Sequence, residues 1–141
     1  YTVAYDYMNN YKLESKWHTD FSFEFKLKRI TVSERLRYQK DLQSRTSDNE
    51  PGSKLRYKIE VDYFISNSKF KPGIDAEFFY NLNNDELIQY NFTKYRISLH
   101  GQYKISKKHL LKAYYRIQNE LNTTNPLTSY ILGIGYRYDF N

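Results

Sequence analysis

The chain has 141 residues, enough for a single domain spanning 1–141 and too few for two ordinary ones. Twenty-two Lys and Arg against sixteen Asp and Glu leave a formal charge of +6, which suits acidic lipid, nucleic acid or simple solubility equally well. There is no Cys, so disulfide frameworks, thiolate metal sites and cysteine nucleophiles are excluded.

Sixteen Tyr and nine Phe dominate the aromatic share, and Gly and Pro are scarce. Tyr and Phe favour strands, and Tyr collects where protein meets the membrane–water boundary. No apolar run approaches the roughly 18 residues of a transmembrane helix, and the mean hydropathy is strongly polar. A membrane β-barrel is compatible with such a composition, because only alternate residues must be apolar. No signal-peptide pattern precedes Tyr1, so the sequence reads as mature or as missing its beginning.

Period-two alternation runs along the chain and predicts strands. Tyr1, Val3, Tyr5 and Tyr7 open it. Trp17, Thr19, Phe21, Phe23, Phe25 and Leu27 then alternate with His18, Asp20, Ser22, Glu24, Lys26 and Lys28. Ile30, Val32, Leu36 and Tyr38 alternate with Arg35 and Arg37, with Glu34 on the apolar side. The clearest segment places Leu55, Tyr57, Ile59, Val61, Tyr63 and Ile65 opposite Arg56, Lys58, Glu60 and Asp62. Phe70, Ile74, Ala76, Phe78, Tyr80 and Leu82 face away from Lys71, Asp75 and Glu77. Tyr95, Ile97, Leu99, Gly101, Tyr103 and Ile105 alternate with Arg96, Ser98, His100, Gln102 and Lys104. Leu111, Ala113, Tyr115 and Ile117 alternate with Lys112, Tyr114, Arg116 and Gln118. The last segment sets Tyr130, Leu132, Ile134, Tyr136, Tyr138 and Phe140 against Gly133, Gly135, Arg137 and Asp139.

These eight candidate strands are joined by connections that alternate strictly, long then short. Short turns fall at 28–29, 66–69 and 106–108, and polar stretches at 8–16, 41–53, 83–91 and 119–128. An all-β, antiparallel up-and-down barrel gives this order when one rim carries tight turns and the other carries loops. In outer-membrane barrels the turns are periplasmic and the loops external. The best strands run about eleven residues, within reach of the roughly 9–11 that a tilted membrane strand needs.

Alternation does not itself decide which face points inward, and a soluble lipocalin-like barrel would bury its apolar side. The bulk of the apolar face favours lipid, since an eight-stranded interior is only just wide enough for side chains. Tyr toward the strand ends suits aromatic girdles. A terminal amphipathic strand with Phe140 next to last suits recognition by barrel-insertion machinery. The lumen then carries a structural charge network of Glu24, Lys26, Arg35, Arg37, Arg56, Lys58, Glu60, Asp62, Asp75, Glu77, Arg96, Arg116 and Arg137.

Several stretches resemble the family known as domain of unknown function 2490. They are KLRYKIEVDYFISNSKFKPGIDAEFFY from Lys54, FTKYRISLHGQYKISKKHLLKAYYRIQ from Phe92 and the ending YILGIGYRYDF. ITVSERLRYQ from Ile30 also fits the pattern. The resemblance implies an outer-membrane barrel of Gram-negative bacteria with no established activity. Members are usually longer, which implies ten to twelve strands for the whole barrel.

The candidate chemistry is thin. Ser98 and His100 share a face and suggest a nucleophile and base, but no third orienting group can be named. A hydrogen-bonding role in the lumen fits them better. Asp75 and Glu77 could bind a cation or act as paired acids, yet the surrounding Arg and Lys favour mutual neutralisation. Gly133 and Gly135 lie within a strand and relieve crowding or allow curvature. The polar loop from Gln43 to Ser53 reads as an external loop. Basic and aromatic residues partition onto opposite faces, which argues against nucleic acid, where stacking and phosphate contact must share a side.

The sequence therefore predicts a non-enzymatic structural or accessory barrel of the bacterial outer membrane, without cofactor, catalytic or metal residues. Its partners would be outer-membrane lipids, the insertion machinery and a larger envelope complex. Alternatives are a narrow pore, a soluble ligand-binding barrel and a lipid-modifying enzyme using Ser98 and His100.

Overall fold

The computed structural model describes residues 2–5, 11–42, 52–82 and 92–140. Among them are eight strands and no helix: β1 (Thr2–Tyr5), β2 (Tyr11–Leu27), β3 (Ile30–Leu42), β4 (Ser53–Tyr63), β5 (Phe70–Asn81), β6 (Phe92–Lys104), β7 (His109–Glu120) and β8 (Thr128–Tyr138). Each pairs antiparallel with the next in sequence order, as the alternating connections predict. Strands β2 to β8 form one continuous ladder.

The expected barrel closure is not present among the described residues. The sheet is open, because no ladder joins β8 to β1 or β2. Strand β1 has four residues and meets β2 only from Tyr11 to Glu14. It therefore offers no full-length edge, and closing a barrel requires every strand to have a partner on both sides.

The strands outrun the alternation at their polar ends. Residues 11–16, expected in a loop, extend β2, and β3 continues to Leu42. The core of the 41–53 loop and the stretch 83–91 lie outside the described residues, as do Tyr1 and Tyr7. Of the 119–128 connection, only 121–127 remains between strands.

The tight turns form where local chemistry supports them. Leu27 pairs with Ile30, leaving a two-residue hairpin at Lys28 and Arg29, and Lys28 takes a φ of 50°. Asn67 adopts φ 58°, a region its short side chain tolerates better than most. Two serines set the other turns: Ser68 Oγ accepts from Phe70 N at 3.0 Å, and Ser106 Oγ from Lys108 N at 3.2 Å.

Two irregularities shape the centre of the sheet. The β4–β5 ladder stops at Asp62 and Gly73, one residue short of Pro72, which lacks the N–H to continue it. Near the other end of β5 the register with β6 shifts between Phe79 and Tyr80, so Thr93 is an extra residue. The bulge turns Phe92 onto the side of Phe78 and Tyr80, with ring centroids 6.1 and 5.2 Å away.

The two faces bury opposite chemistry from a soluble sheet. The side turned inward hides Asp62, Asp75, Glu77, Ser98 and His100, and Phe79 is the one buried hydrophobic side chain among the described residues. The other side exposes Phe23, Leu132 and Ile134 at 76%, 78% and 75%, together with most of the large apolar residues. Glu34 lies on that outer face with the Tyr57 hydroxyl as its hydrogen-bond partner. Curvature brings non-adjacent strands together inside: one hollow of about 250 Å³ is lined from β4, β5, β7 and β8.

Candidate functional site: the inward polar cluster

The inward face of β3 to β7 gathers residues that alternate with the outer apolar row, so the strand period alone puts them on one side. Curvature then decides which of them touch. Glu77, in the middle of β5, is the hub of the upper half. Arg35 Nη2 from β3 reaches its Oε1 at 3.0 Å, and Arg56 from β4 donates through Nε at 3.1 Å and Nη2 at 2.8 Å. Arg96 from β6 approaches Oε2 at 3.5 Å. Three guanidiniums thus share one buried carboxylate. Charge-assisted bonds of this kind are among the stronger ones in proteins.

The excess positive charge is partly spread over neutral groups. Gln39 Oε1 accepts from Arg56 Nη1 at 3.2 Å, and Gln118 Oε1 from Arg96 Nε at 2.7 Å. Phe79 lies beneath, with the Arg56 and Arg96 guanidinium carbons 4.9 and 4.6 Å from its ring centroid and Lys94 Nζ at 5.5 Å. An aromatic face stabilises cations that have left water. That explains a buried phenyl ring on the charged side.

The lower half is organised by carboxylates. Ser98 Oγ donates to Asp75 Oδ1 at 3.2 Å and accepts from Arg116 Nε at 2.9 Å. Lys58 Nζ holds Glu60 Oε2 at 2.5 Å and stands 3.8 Å from Asp75 Oδ2. Lys71 Nζ holds Asp62 Oδ2 at 2.6 Å. The fully buried His100 side chain sits among them, with Nε2 2.9 Å from Asp62 Oδ1 and 3.6 Å from Glu60 Oε1. Its Nδ1 lies 3.4 Å from Asp75 Oδ2.

This geometry separates the expected residues into groups. Arg35, Arg56, Lys58, Glu60, Asp62, Asp75, Glu77, Arg96 and Arg116 come together across the inward face. Arg37 forms its own bidentate pair with Asp20, both contacts 2.7 Å. Glu24 and Lys26 pair with each other on β2 at 2.9 Å, largely exposed, and Arg137 pairs with nearby Asp139 at 3.2 Å. These outlying members stand on or next to the edge strands, where curvature brings no third strand over them.

Ser98 and His100 do not form a nucleophile–base pair. Each contacts Asp75 instead, and the outer nitrogen of the imidazole faces carboxylates rather than the hydroxyl. Asp75 and Glu77 likewise do not act on each other, because each is held by its own cations. Sequence reasoning missed Phe79, Gln39, Gln118 and the partnership of Lys71 with Asp62. The parity that put Phe78 and Tyr80 outside already put Phe79 on the charged side, but sequence spacing does not show that Arg56, Lys94 and Arg96 converge on its ring.

Gly133 shows why glycine was needed on the crowded side. A Cβ there would sit 2.2 Å from the Tyr114 ring, which lies over it while Arg116 stacks on Tyr114 at 4.9 Å. Gly135 has nothing within 4 Å of that position.

The fold and the cluster together define an up-and-down antiparallel β-sheet protein with a charged, internally paired face turned in and an apolar face turned out. The chain belongs to the family described as Protein of unknown function (DUF2490), whose model matches residues 1–129. That span covers the motifs beginning at Ile30, Lys54 and Phe92 and stops before the YILGIGYRYDF ending. No curated protein and no solved structure matches the chain.

Proposed function

We propose that this protein is a bacterial outer-membrane β-barrel whose apolar outer face meets lipid and whose paired charges fill a plugged lumen. Its role on this reading is structural or accessory, within a larger envelope assembly, and not catalytic. The observation that carries the proposal is the inverted burial: the inner face buries the carboxylates of Asp62, Asp75 and Glu77 with the His100 imidazole, and the outer face exposes Leu, Ile and Phe. In water that arrangement leaves a broad row of exposed large apolar side chains, which monomeric soluble proteins rarely carry. In lipid it is the expected one. A soluble ligand-binding barrel requires the opposite orientation.

Closure of the barrel completes the proposal. The outer edges of β8 and of β2 from Trp17 to Leu27 face no described strand. Unpaired backbone cannot stand in hydrocarbon, so these edges must meet each other or further strands in a membrane. The paired charges of the interior support a plug over an open pore. Ser98 and His100 each face Asp75 rather than each other, which supports a non-catalytic role for that pair over a lipid-modifying one.

Heat-modifiability tests this reading. Refolded protein is run on a gel with and without boiling, from detergent and from plain buffer. A fast-migrating form that needs detergent and is lost on boiling is expected. A monomer that folds in plain buffer without such a form contradicts it. Planar-bilayer recordings are expected to show no conductance above background, and a steady channel would replace the plug with a pore. An accessory role further predicts that loss of the protein alters a co-purifying envelope complex.

A further inference from the structure

We propose that Glu60, Asp62 and His100 form a binding site for a divalent cation of the imidazole-favouring first-row kind, with Zn2+ as its probe. One ligand atom from each of the three residues lies within 4.8 Å of the others. The orientation of the oxygens matters more than the grouping. Lys71 occupies Asp62 Oδ2 and Lys58 occupies Glu60 Oε2. The second oxygen of each carboxylate, Asp62 Oδ1 and Glu60 Oε1, is directed at the same imidazole nitrogen, His100 Nε2. Two carboxylate oxygens and a nitrogen lone pair repel one another unless a cation or proton lies between them.

Two further observations point to a ligand at that spot. The His100 side chain is fully buried, and its Nδ1 has no hydrogen-bond partner among the described residues. A metal on Nε2 would fix the ring proton on Nδ1, where Asp75 Oδ2 stands 3.4 Å away. Metal-ligating histidines characteristically present their other N–H to a carboxylate in this manner. Asp75 is itself anchored by Ser98, which Arg116 holds in turn.

The second observation is Gly73, directly across β5 from Asp62 and His100. A Cβ at this position would lie 2.4 Å from Asp62 Oδ1 and 2.4 Å from His100 Nε2, the two converging atoms. Glycine keeps open the space beside both. One nitrogen and two carboxylate oxygens suit Zn2+ and its neighbours, whereas Ca2+ and Mg2+ prefer all-oxygen shells. Three protein ligands leave room for water. The hollow beside Asp75 and Lys58 is a place from which it could come. The site lies within the strand interior and does not depend on whether the outer face meets lipid.

Titration of the full chain, folded in detergent or in plain buffer, with Zn2+, and separately with Ca2+ and Mg2+, tests the assignment. A single Zn2+ per chain is expected, with neither Ca2+ nor Mg2+ competing. Binding should survive in a His18→Gln, His109→Gln double variant and be abolished by His100→Gln and by Gly73→Ala. Should either of the last two fail to fold, nitrogen NMR of His100 in the unmodified chain decides. Zn2+ should then shift Nε2 and leave the proton on Nδ1. Absence of stoichiometric Zn2+ uptake overturns the proposal. So does uptake indifferent to both substitutions, or an imidazole protonated on both nitrogens and insensitive to Zn2+.

Discussion

Glu77 is the residue on which the most partners depend. Its carboxylate is almost wholly buried and receives Arg35, Arg56 and Arg96 together. Removing one member of a buried ion pair costs about 3–5 kcal/mol, since the remaining charge stays desolvated. Glu77→Gln should therefore destabilise the folded protein by about 3 kcal/mol in urea titration. Asp20→Asn, which breaks the more exposed Arg37 pair, should cost about 1 kcal/mol or less. At Gly133 the missing side chain matters instead. Gly133→Val should cost about 1–3 kcal/mol through collision with Tyr114. Adding Tyr114→Ala should recover part of that loss, giving a measurable coupling in a double-mutant cycle. Lys28 holds a left-handed φ of 50° in its hairpin. Lys28→Gly should stabilise by about 1 kcal/mol by relieving the Cβ clash.

The strands themselves were readable wherever one face is apolar. The β4, β5 and β6 patterns match the observed strands except at their last members, since Ile65, Leu82 and Ile105 lie beyond the strand ends. Their ends were not readable. Residues 11–16 read YKLESK, and the polar residues conceal the ladder with β1 and β3. The β6 start was hidden for a different reason. Thr93 is a bulge, so the pattern before Lys94 is one step out of phase and Phe92 changes face. Deleting Thr93 should remove the bulge and leave Phe92 on the outer face, since it would then precede inward-facing Lys94 in strict alternation and still pair with Tyr80. The expected result is a folded yield close to that of the unmodified chain, while a large loss of folded yield would show that the strand needs the bulge itself.

At the scale of the whole molecule, composition and period conveyed that one face is charged and the other apolar. They did not convey which charges meet. Arg35 and Glu77 are 42 residues apart and sit on β3 and β5, with β4 between them. Their contact exists because register sets Arg35, Lys58 and Glu77 in one row and the sheet curves toward its inner face. The same curvature explains why Glu24, Lys26 and Arg137 on the outermost strands stay outside the cluster. The direction in which the faces point is the central claim of the membrane reading, and Trp17 reports on it directly. It is the only Trp of the chain, it stands half-exposed on the outer face, and it packs edge-on against Tyr38 at 5.9 Å. Refolded protein in vesicles with brominated acyl chains should show strong quenching of Trp17 emission relative to unbrominated vesicles. Folded protein whose Trp17 emission is unchanged by bromination, and is quenched by aqueous iodide instead, would contradict a lipid-facing outer surface.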